Sequence, residues 1–370
     1  MDRFISTHLQ AEDWAAAVDG CVSQAGARAS EANFGFVYAT DALADDMPRI
    51  IGRLRRATGI GDWVGTVGIG ICAPGREYYD GPALSLMLCD FPAQSWHLFS
   101  MDEQGNGGGM EPCMQWMRSR RVPLAMVHGD PNSARLPDLL DSLLGRMDDG
   151  FLTGGLSSSR GRHVQVAGDV TPGPLSGVLL SSDIAVSVRL SQGCSPIGAH
   201  HTVTLCEDQY IVALDERPAL DVLKEDIGEV LAQDIRRIGG YIFAGLPIRG
   251  TDTGDYLVRH ITGFDPAHGV IAIADRVEIG DTLIFCRRDP QTAYDDLVRM
   301  LEQIRTDTPP RGAVYFSCTG RGAAQFGPDS RELRTIGSVL GDIPITGFFC
   351  SGEIYHSRLY GYTGVLTLFT

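Results

Sequence analysis

One pattern occurs three times along the chain and limits what it can fold into. Phe34–Thr40 is an apolar run rich in aromatic residues, residues 43–57 carry the 3.6-residue period of a helix, and Trp63–Ile69 (WVGTVGI) is a second apolar run broken by glycine. The same order returns in Leu124–His128, Leu136–Met147 and Phe151–Leu156 (FLTGGL). It returns again in Ala313–Ser317, Glu332–Leu340 and Ile343–Phe349, which contains ITGFF. Val37, Val127 and Val314 lie 28, 27 and 33 residues before Gly65, Gly154 and Gly347, the longer third spacing containing the loop CTGRGAAQFG. Each unit is followed by one more strand-like run: Leu84–Leu88, Val178–Ser181 and Val365–Phe369. Crossovers of this length suit a helix joining two parallel strands. The expected fold class is therefore α+β or mixed α/β, with repeated strand–helix–strand units forming helix-covered sheets. Glycine weakens a strand interior and marks a bulge or a close approach of ligand or backbone, so its return at one place in three units predicts a shared architectural role, the packing of one unit on another.

Between the second and third units the pattern changes. Ile184–Leu190, Gly198–Leu205 and Gln209–Asp215 read as antiparallel strands, and a helix is expected over Ala219–Ile238 with Pro218 at its first turn. Four further strand-like runs (Tyr241–Leu246, Tyr256–Thr262, Gly269–Ala274, Thr282–Arg287) precede a helix at Thr292–Arg305 and a stop at Thr308–Gly312. GNGGGM at 105–110 reads as a surface loop. At 370 residues the chain has room for about two domains, and the division is placed near Asp215–Pro218, giving 30–215 and 216–370. Residues 1–30 read as a single short amphipathic stretch.

The formal charge of −15 repels nucleic acid and anionic lipid, and no basic run is expected to offset it. No stretch approaches the ~18 apolar residues of a membrane span, and the N-terminus lacks a basic segment followed by an apolar one. The nine cysteines are odd in number, scattered and free of any CxxC, so they read as reduced thiols of a cytoplasmic protein.

The chemistry-bearing residues gather near the C-terminus, in FSCTGRG (316–322) and in PITGFFCSGEI (344–354). Neighbouring strands would bring Cys318, Arg321 and Glu353 to one end of one sheet. Arg321 could grip a carboxylate with two parallel hydrogen bonds, the Gly320 and Gly322 amides could turn toward the same anion, and Glu353, after Gly352, could take an ammonium group. The alternative is that Arg321 and Glu353 pair with each other and pin the loop. Cys318 could contact ligand, pack, or act as a nucleophile if Arg321 and the glycine amides lowered its pKa. Against catalysis, no histidine is close in sequence to serve as base. Secondary candidates are Gly155 and Ser157 in GGLSSSR and Gln192 and Cys194 in QGCSPIG. His200 and His201 would point to opposite faces of a strand, so no metal site is expected. No cofactor is expected either: Gly-x-Gly-x-x-Gly, a phosphate-binding Gly-Lys-Ser/Thr and Gly-x-Ser-x-Gly are all missing.

Taken together, FSCTGRG, ITGFFCSGEI, the Gly-Gly-Leu-Ser run at 154–157 and QGCSPIG resemble the FIST family of F-box and intracellular signal transduction proteins. The resemblance extends over about 30–370 and implies a FIST N-terminal domain followed by a FIST C-terminal domain. It also implies a cytoplasmic sensor of a small polar ligand, with amino acids as the favoured class, acting on an unknown signalling partner. Two alternatives stand beside that reading: a protein-interaction module without a small ligand, and a Cys-dependent enzyme using Cys318.

Overall fold

The computed structural model describes residues 4–107, 110–147, 149–228, 235–248, 255–307 and 309–370. Gly108 and Gly109 of the expected loop, and Thr308 of the expected stop, lie outside them. The chain forms two compact units, Met1–Ser191 with Asp296–Thr370, and Gln192–Asp295. The expected division at 215/216 falls inside the second unit. Compactness follows strand pairing, and the C-terminal residues supply the third sheet of the first unit.

That first unit holds three six-stranded sheets with one common order. The first sheet runs β1 (Phe4–Gln10), β6 (Ala83–Cys89), β2 (Phe34–Thr40), β3 (Asp62–Gly68), β10 (Gln165–Ala167), β11 (Asp169–Thr171). The second runs β7 (Trp96–Met101), β12 (Leu175–Leu180), β8 (Leu124–Gly129), β9 (Phe151–Leu156), β23 (Glu353–Tyr355), β24 (Arg358–Tyr360). The third runs β13 (Val186–Gln192), β25 (Thr363–Phe369), β21 (Gly312–Cys318), β22 (Ile345–Cys350), β4 (Ile71–Ala73), β5 (Arg76–Tyr78). At the centre of each, a parallel pair is flanked by an antiparallel strand. These central strands are buried along nearly their whole length, which is why they read as continuous apolar runs rather than alternating ones.

Each sheet ends in a two-stranded hairpin that does not come from its own unit. The hairpin after β3 pairs with β22, the one after β9 pairs with β3, and the one after β22 pairs with β9. Three buried side-chain hydrogen bonds join the sheets pairwise: Ser85–Thr346 at 2.8 Å, Thr153–Thr367 at 2.8 Å and Ser176–Gln165 at 2.8 Å. Their inner faces share an aromatic core that includes Phe34, Phe36, Tyr38, Phe316, Phe348 and Phe369. His128 is buried inside it, 3.1 Å from the Tyr38 hydroxyl, and burial lowers its pKa to about 3, so it is neutral.

Helices cover the outer faces. On the first sheet lie α1 (Trp14–Ala25) and α2 (Met47–Thr58). α2 presents Met47, Ile50, Ile51 and Leu54 inward, starts with a proline and stops at Gly59 in the left-handed region. On the second sheet lie α3 (Met110–Arg118) and α4 (Leu136–Leu144). Residues 4–25, expected as one amphipathic stretch, divide into β1 and α1 because Asp13 caps the helix, accepting from the Ala16 amide at 2.8 Å.

The recurring glycines sit in mid-sheet between two partner strands. Gly65 faces Val37 and Val166, Gly154 faces Val127 and Ile354, and Gly347 faces Tyr315 and Cys72. In the third unit the residue opposite the glycine is Tyr315, one beyond Val314. A Cβ added at Gly65, Gly154 or Gly347 would lie 1.6, 1.9 or 1.8 Å from the carbonyl oxygen across the parallel pair. No rotamer relieves a clash with backbone.

In the second unit, β14 (Cys194–Glu207), β15 (Tyr210–Leu214), β16 (Arg217–Pro218), β17 (Ile242–Pro247), β18 (Tyr256–Asp265), β19 (Val270–Ile273) and β20 (Thr282–Arg288) form one sheet. An added pairing of β14 with β15 closes it on itself. Helix α5 (Ala219–Ile227) packs on it and ends at Gly228, at φ 78°; residues 229–234 of the expected longer helix are outside the described residues. The histidine pair divides as expected, His200 exposed and His201 buried. His201 lies 2.6 Å from Asp215 and 2.9 Å from Asp226. Burial works against its proton, and the two carboxylates outweigh it, leaving the pKa raised. Helix α6 (Pro290–Thr306) then leads the chain on to β21.

Gly154→Ala should therefore lose about 3 kcal/mol or more of stability in denaturant unfolding. An unchanged midpoint would refute the assigned role of the close carbonyl contact.

Candidate functional site

β21 and β22 are parallel neighbours, so the loop after β21 and the turn after β22 emerge at the same end of the third sheet, as the sequence predicts. Cys318 ends β21 and is opposite Cys350 in register. Its neighbours then differ from the expected zwitterion clamp.

Arg321 is 1% exposed and belongs to Glu332 on α7 (Arg331–Leu340), with Nε 2.7 Å from Oε1. Its other donors reach the Ser191 carbonyl, the Ser191 hydroxyl and the Tyr315 hydroxyl at 3.4–3.5 Å, and its guanidinium lies 4.9 Å from the Phe326 ring centroid. Glu332 also accepts from Tyr315 (2.7 Å), from Ser317 (3.2 Å) and from the Gly322 amide (2.9 Å). Every part of the expected anion site except the Gly320 amide is therefore committed to Glu332. That remaining amide donates to the Cys318 sulfur at 3.5 Å. The expected alternative, an Arg321–Glu353 pair, is not formed either. Two features explain this: Glu332 occupies the first turn of α7, where the helix dipole favours an anion, and the loop folds back over it.

Glu353, on β23, is fully buried. Its Oε2 accepts from the Thr363 amide at 3.1 Å and the Thr363 hydroxyl at 2.8 Å. Among the described residues, Oε1 accepts no hydrogen bond. Burial pushes the carboxyl up to about 8, against the lowering pull of Thr363, Arg321 and Cys318. Cys318, 8% exposed, is pushed up to about 12, first by burial and then by Glu353. That is the reverse of an activated nucleophile. A second carboxyl, Glu77 on β5, is raised to about 7 by burial and bonds the Tyr79 hydroxyl at 2.6 Å. Tyr79 in turn accepts from the Ala323 amide at 3.1 Å.

The remaining candidates make contacts within the fold. Gly155 pairs with Glu353, and an added Cβ would lie 2.5 Å from the Cys350 sulfur. Gly352 accepts from the Leu156 amide at 2.9 Å, and the Ser157 amide and hydroxyl both donate to the Gly129 carbonyl. Gln192 and Cys194 belong to the second unit, where Gln192 donates to the Tyr256 carbonyl and the Tyr256 hydroxyl donates to the Cys194 carbonyl. Sequence reasoning missed Glu332 as the partner of Arg321. The signal was present: Glu332 precedes Ile336 by one helical turn and so lies on the buried stripe, where a carboxylate needs a cation.

The FIST N domain matches residues 33–217 and the FIST C domain matches residues 219–356. Uncharacterized protein Rv0628c of Mycobacterium tuberculosis is 33% identical over 324 residues, 83% of each chain. Uncharacterized protein Mb0898c of Mycobacterium bovis is 36% identical over 212 residues, 54% of each. Among solved structures, T. maritima PurL complexed with ATP aligns over 99% of this chain and 71% of its own, at 12% identity and a TM-score of 0.23, a likeness that carries no inference. The chain belongs to the FIST family, whose domains are associated with sensing in signal transduction. No helix among the described residues is long and apolar enough to cross a membrane.

Two outcomes follow from this geometry. Arg321→Ala should cost about 3–5 kcal/mol, because Glu332 is left buried and unpaired, and a double Arg321→Met, Glu332→Leu variant should recover much of it. A mild single-variant effect in denaturant unfolding would contradict the pairing. Glu353 titrates near 8 folded and near 4.5 ordinarily, so its contribution is full at low pH and is lost as pH rises from about 4.5 through 8. The stability of Glu353→Gln relative to wild type should rise over that window, and a pH-independent difference would contradict the shift.

Proposed function

We propose that this chain senses a small polar ligand through the carboxyl of Glu353, as part of intracellular signal transduction. The observation that supports the reading most is the buried carboxyl with one oxygen, Oε1, left without a hydrogen bond. Such a group is costly unless something meets it, and it is held on β23, a strand whose hairpin closes the sheet of another unit. Cys318, 8% exposed, lies beside it. The ligand class is one carrying an amino or hydroxyl donor. An amine would draw the Glu353 proton away and replace it with an ion pair; amino acids stay within the class through their amino group. Arg321 supports the loop rather than the ligand in this reading.

A second reading, a recruitment module, has its own support. Among the described residues, the exposed large hydrophobic ones, Leu205, Tyr210, Tyr241 and Ile279, belong to the second unit.

The test is a thermal-shift panel of amino acids, small amines and carboxylates on the wild type and on Glu353→Gln. A ligand at a hundred times its Kd should add about 2.7 kcal/mol to the wild type, with the gain lost in the variant. A flat panel on folded protein would overturn the ligand reading in favour of recruitment.

A further inference from the structure

Contrary to the expectation of no basic run, residues 118–121 read Arg-Ser-Arg-Arg, a local basic cluster in a chain of net charge −15. They leave the end of α3 and, with Arg146, line a cavity of about 600 Å³ in the first unit. Its apolar wall includes Met114, Met117 and Met147. Among the described residues none of the four arginines forms a salt bridge, whereas Arg49, Arg53, Arg55, Arg135, Arg160 and Arg162 in the same unit each do. Four guanidiniums around one hollow repel one another unless an anion enters.

Two of the four are held in place by neutral partners. Arg120 donates to the Gln94 amide oxygen at 2.9 Å and to the Ser119 hydroxyl at 3.1 Å. It lies 5.5 Å from the Trp116 ring centroid, and Trp116 stacks on His97 at 5.7 Å. Arg146 donates to the Gly105 carbonyl at 3.0 Å. These contacts fix the cations through neutral groups, and among the described residues no carboxylate pairs with either. Arg118 and Arg121 are exposed at the rim.

We propose that this cavity binds a phosphate monoester with an apolar body, the arginines taking the dianionic head and the methionines the body. Guanidinium matches phosphate in a two-pronged way, methionine adapts to varied apolar shapes, and the volume falls within the ~300–1,000 Å³ range of small-molecule pockets. The same chemistry occurs in soluble organophosphates and in lipid headgroups; the concave wall favours the soluble source. The site uses none of the residues around Glu353, so it stands apart from the reading above.

The test is calorimetric titration of the full chain, at low salt, with phenyl phosphate, inorganic phosphate and phenol. Phenyl phosphate should bind about tenfold tighter than either of the others. An Arg118→Ala, Arg121→Ala double variant, altered only at exposed positions, should keep its melting temperature and lose about tenfold or more of that affinity. Met117→Gln should weaken phenyl phosphate and leave inorganic phosphate unchanged. No phenyl phosphate binding at about millimolar concentration, or equal affinity in the double variant, would overturn the proposal. So would binding to vesicles containing phosphatidic acid with none to phenyl phosphate, which would assign the arginines to a membrane surface instead.

Discussion

The exchange of hairpins governs the first unit. Each of its three sheets has a central parallel pair made locally, and each is completed on the far side by a hairpin that another unit sends across. A sheet that lost its visiting hairpin would expose the backbone of its second strand and one side of the mid-sheet glycine. The glycines serve the local parallel pairs, whose carbonyls approach to where a side chain would begin. Because every unit both gives and receives, none can be removed without opening an edge on another. The aromatic core and the three buried side-chain hydrogen bonds lie at the convergence of the three sheets. Contacts so distant in sequence, such as Gly347 with Cys72, carry a loop-closure cost that local strand pairing does not.

The buried charges follow from the same architecture. The third sheet's end is closed by a loop, a helix start and two hairpins, which leaves little water for any ionisable group there. Arg321 is one cation placed near Glu332 and Glu353, both buried, while Glu77 on the adjoining hairpin is half-buried. It satisfies Glu332 directly. For Glu353, burial outweighs its pull and the pKa rises to about 8; Glu77 is raised to about 7 chiefly by burial, with the Glu332 charge adding to it. The low dielectric that makes the Arg321–Glu332 pair rigid is thus also what keeps a proton on Glu353.

Much of this was legible in the sequence because it depends on local pattern. The strand–helix–strand units, their following strands and the convergence of the 318 loop with the 353 turn all come from apolar runs and glycine spacing. The hairpin exchange was not legible, because three-residue strands such as Ile71–Ala73 carry too little pattern to name a partner, and the partner lies far along the chain. The pairing of Arg321 failed for a related reason. Residue chemistry says that a buried guanidinium wants a carboxylate, but choosing between Glu332 and Glu353 requires knowing how the loop turns. The compact units diverged from sequence order because the second unit is inserted between strands of the first.

A sensor needs a ligand to act differently on two states of the protein, and affinity alone does not achieve that. Glu353 is well placed for such a difference. Its backbone pairs with Gly155 in β9 and Tyr360 in β24, while its side chain holds the amide that begins β25. One carboxyl therefore joins the second sheet to the first residue of a strand in the third. A ligand that removed its proton would change the charge at that junction, strengthening its bonds from Thr363 while placing an anion in a site that burial keeps neutral. The balance of those two effects is felt by the strands that hold the unit together, which is how a small molecule at one buried oxygen could alter the order of a whole hairpin.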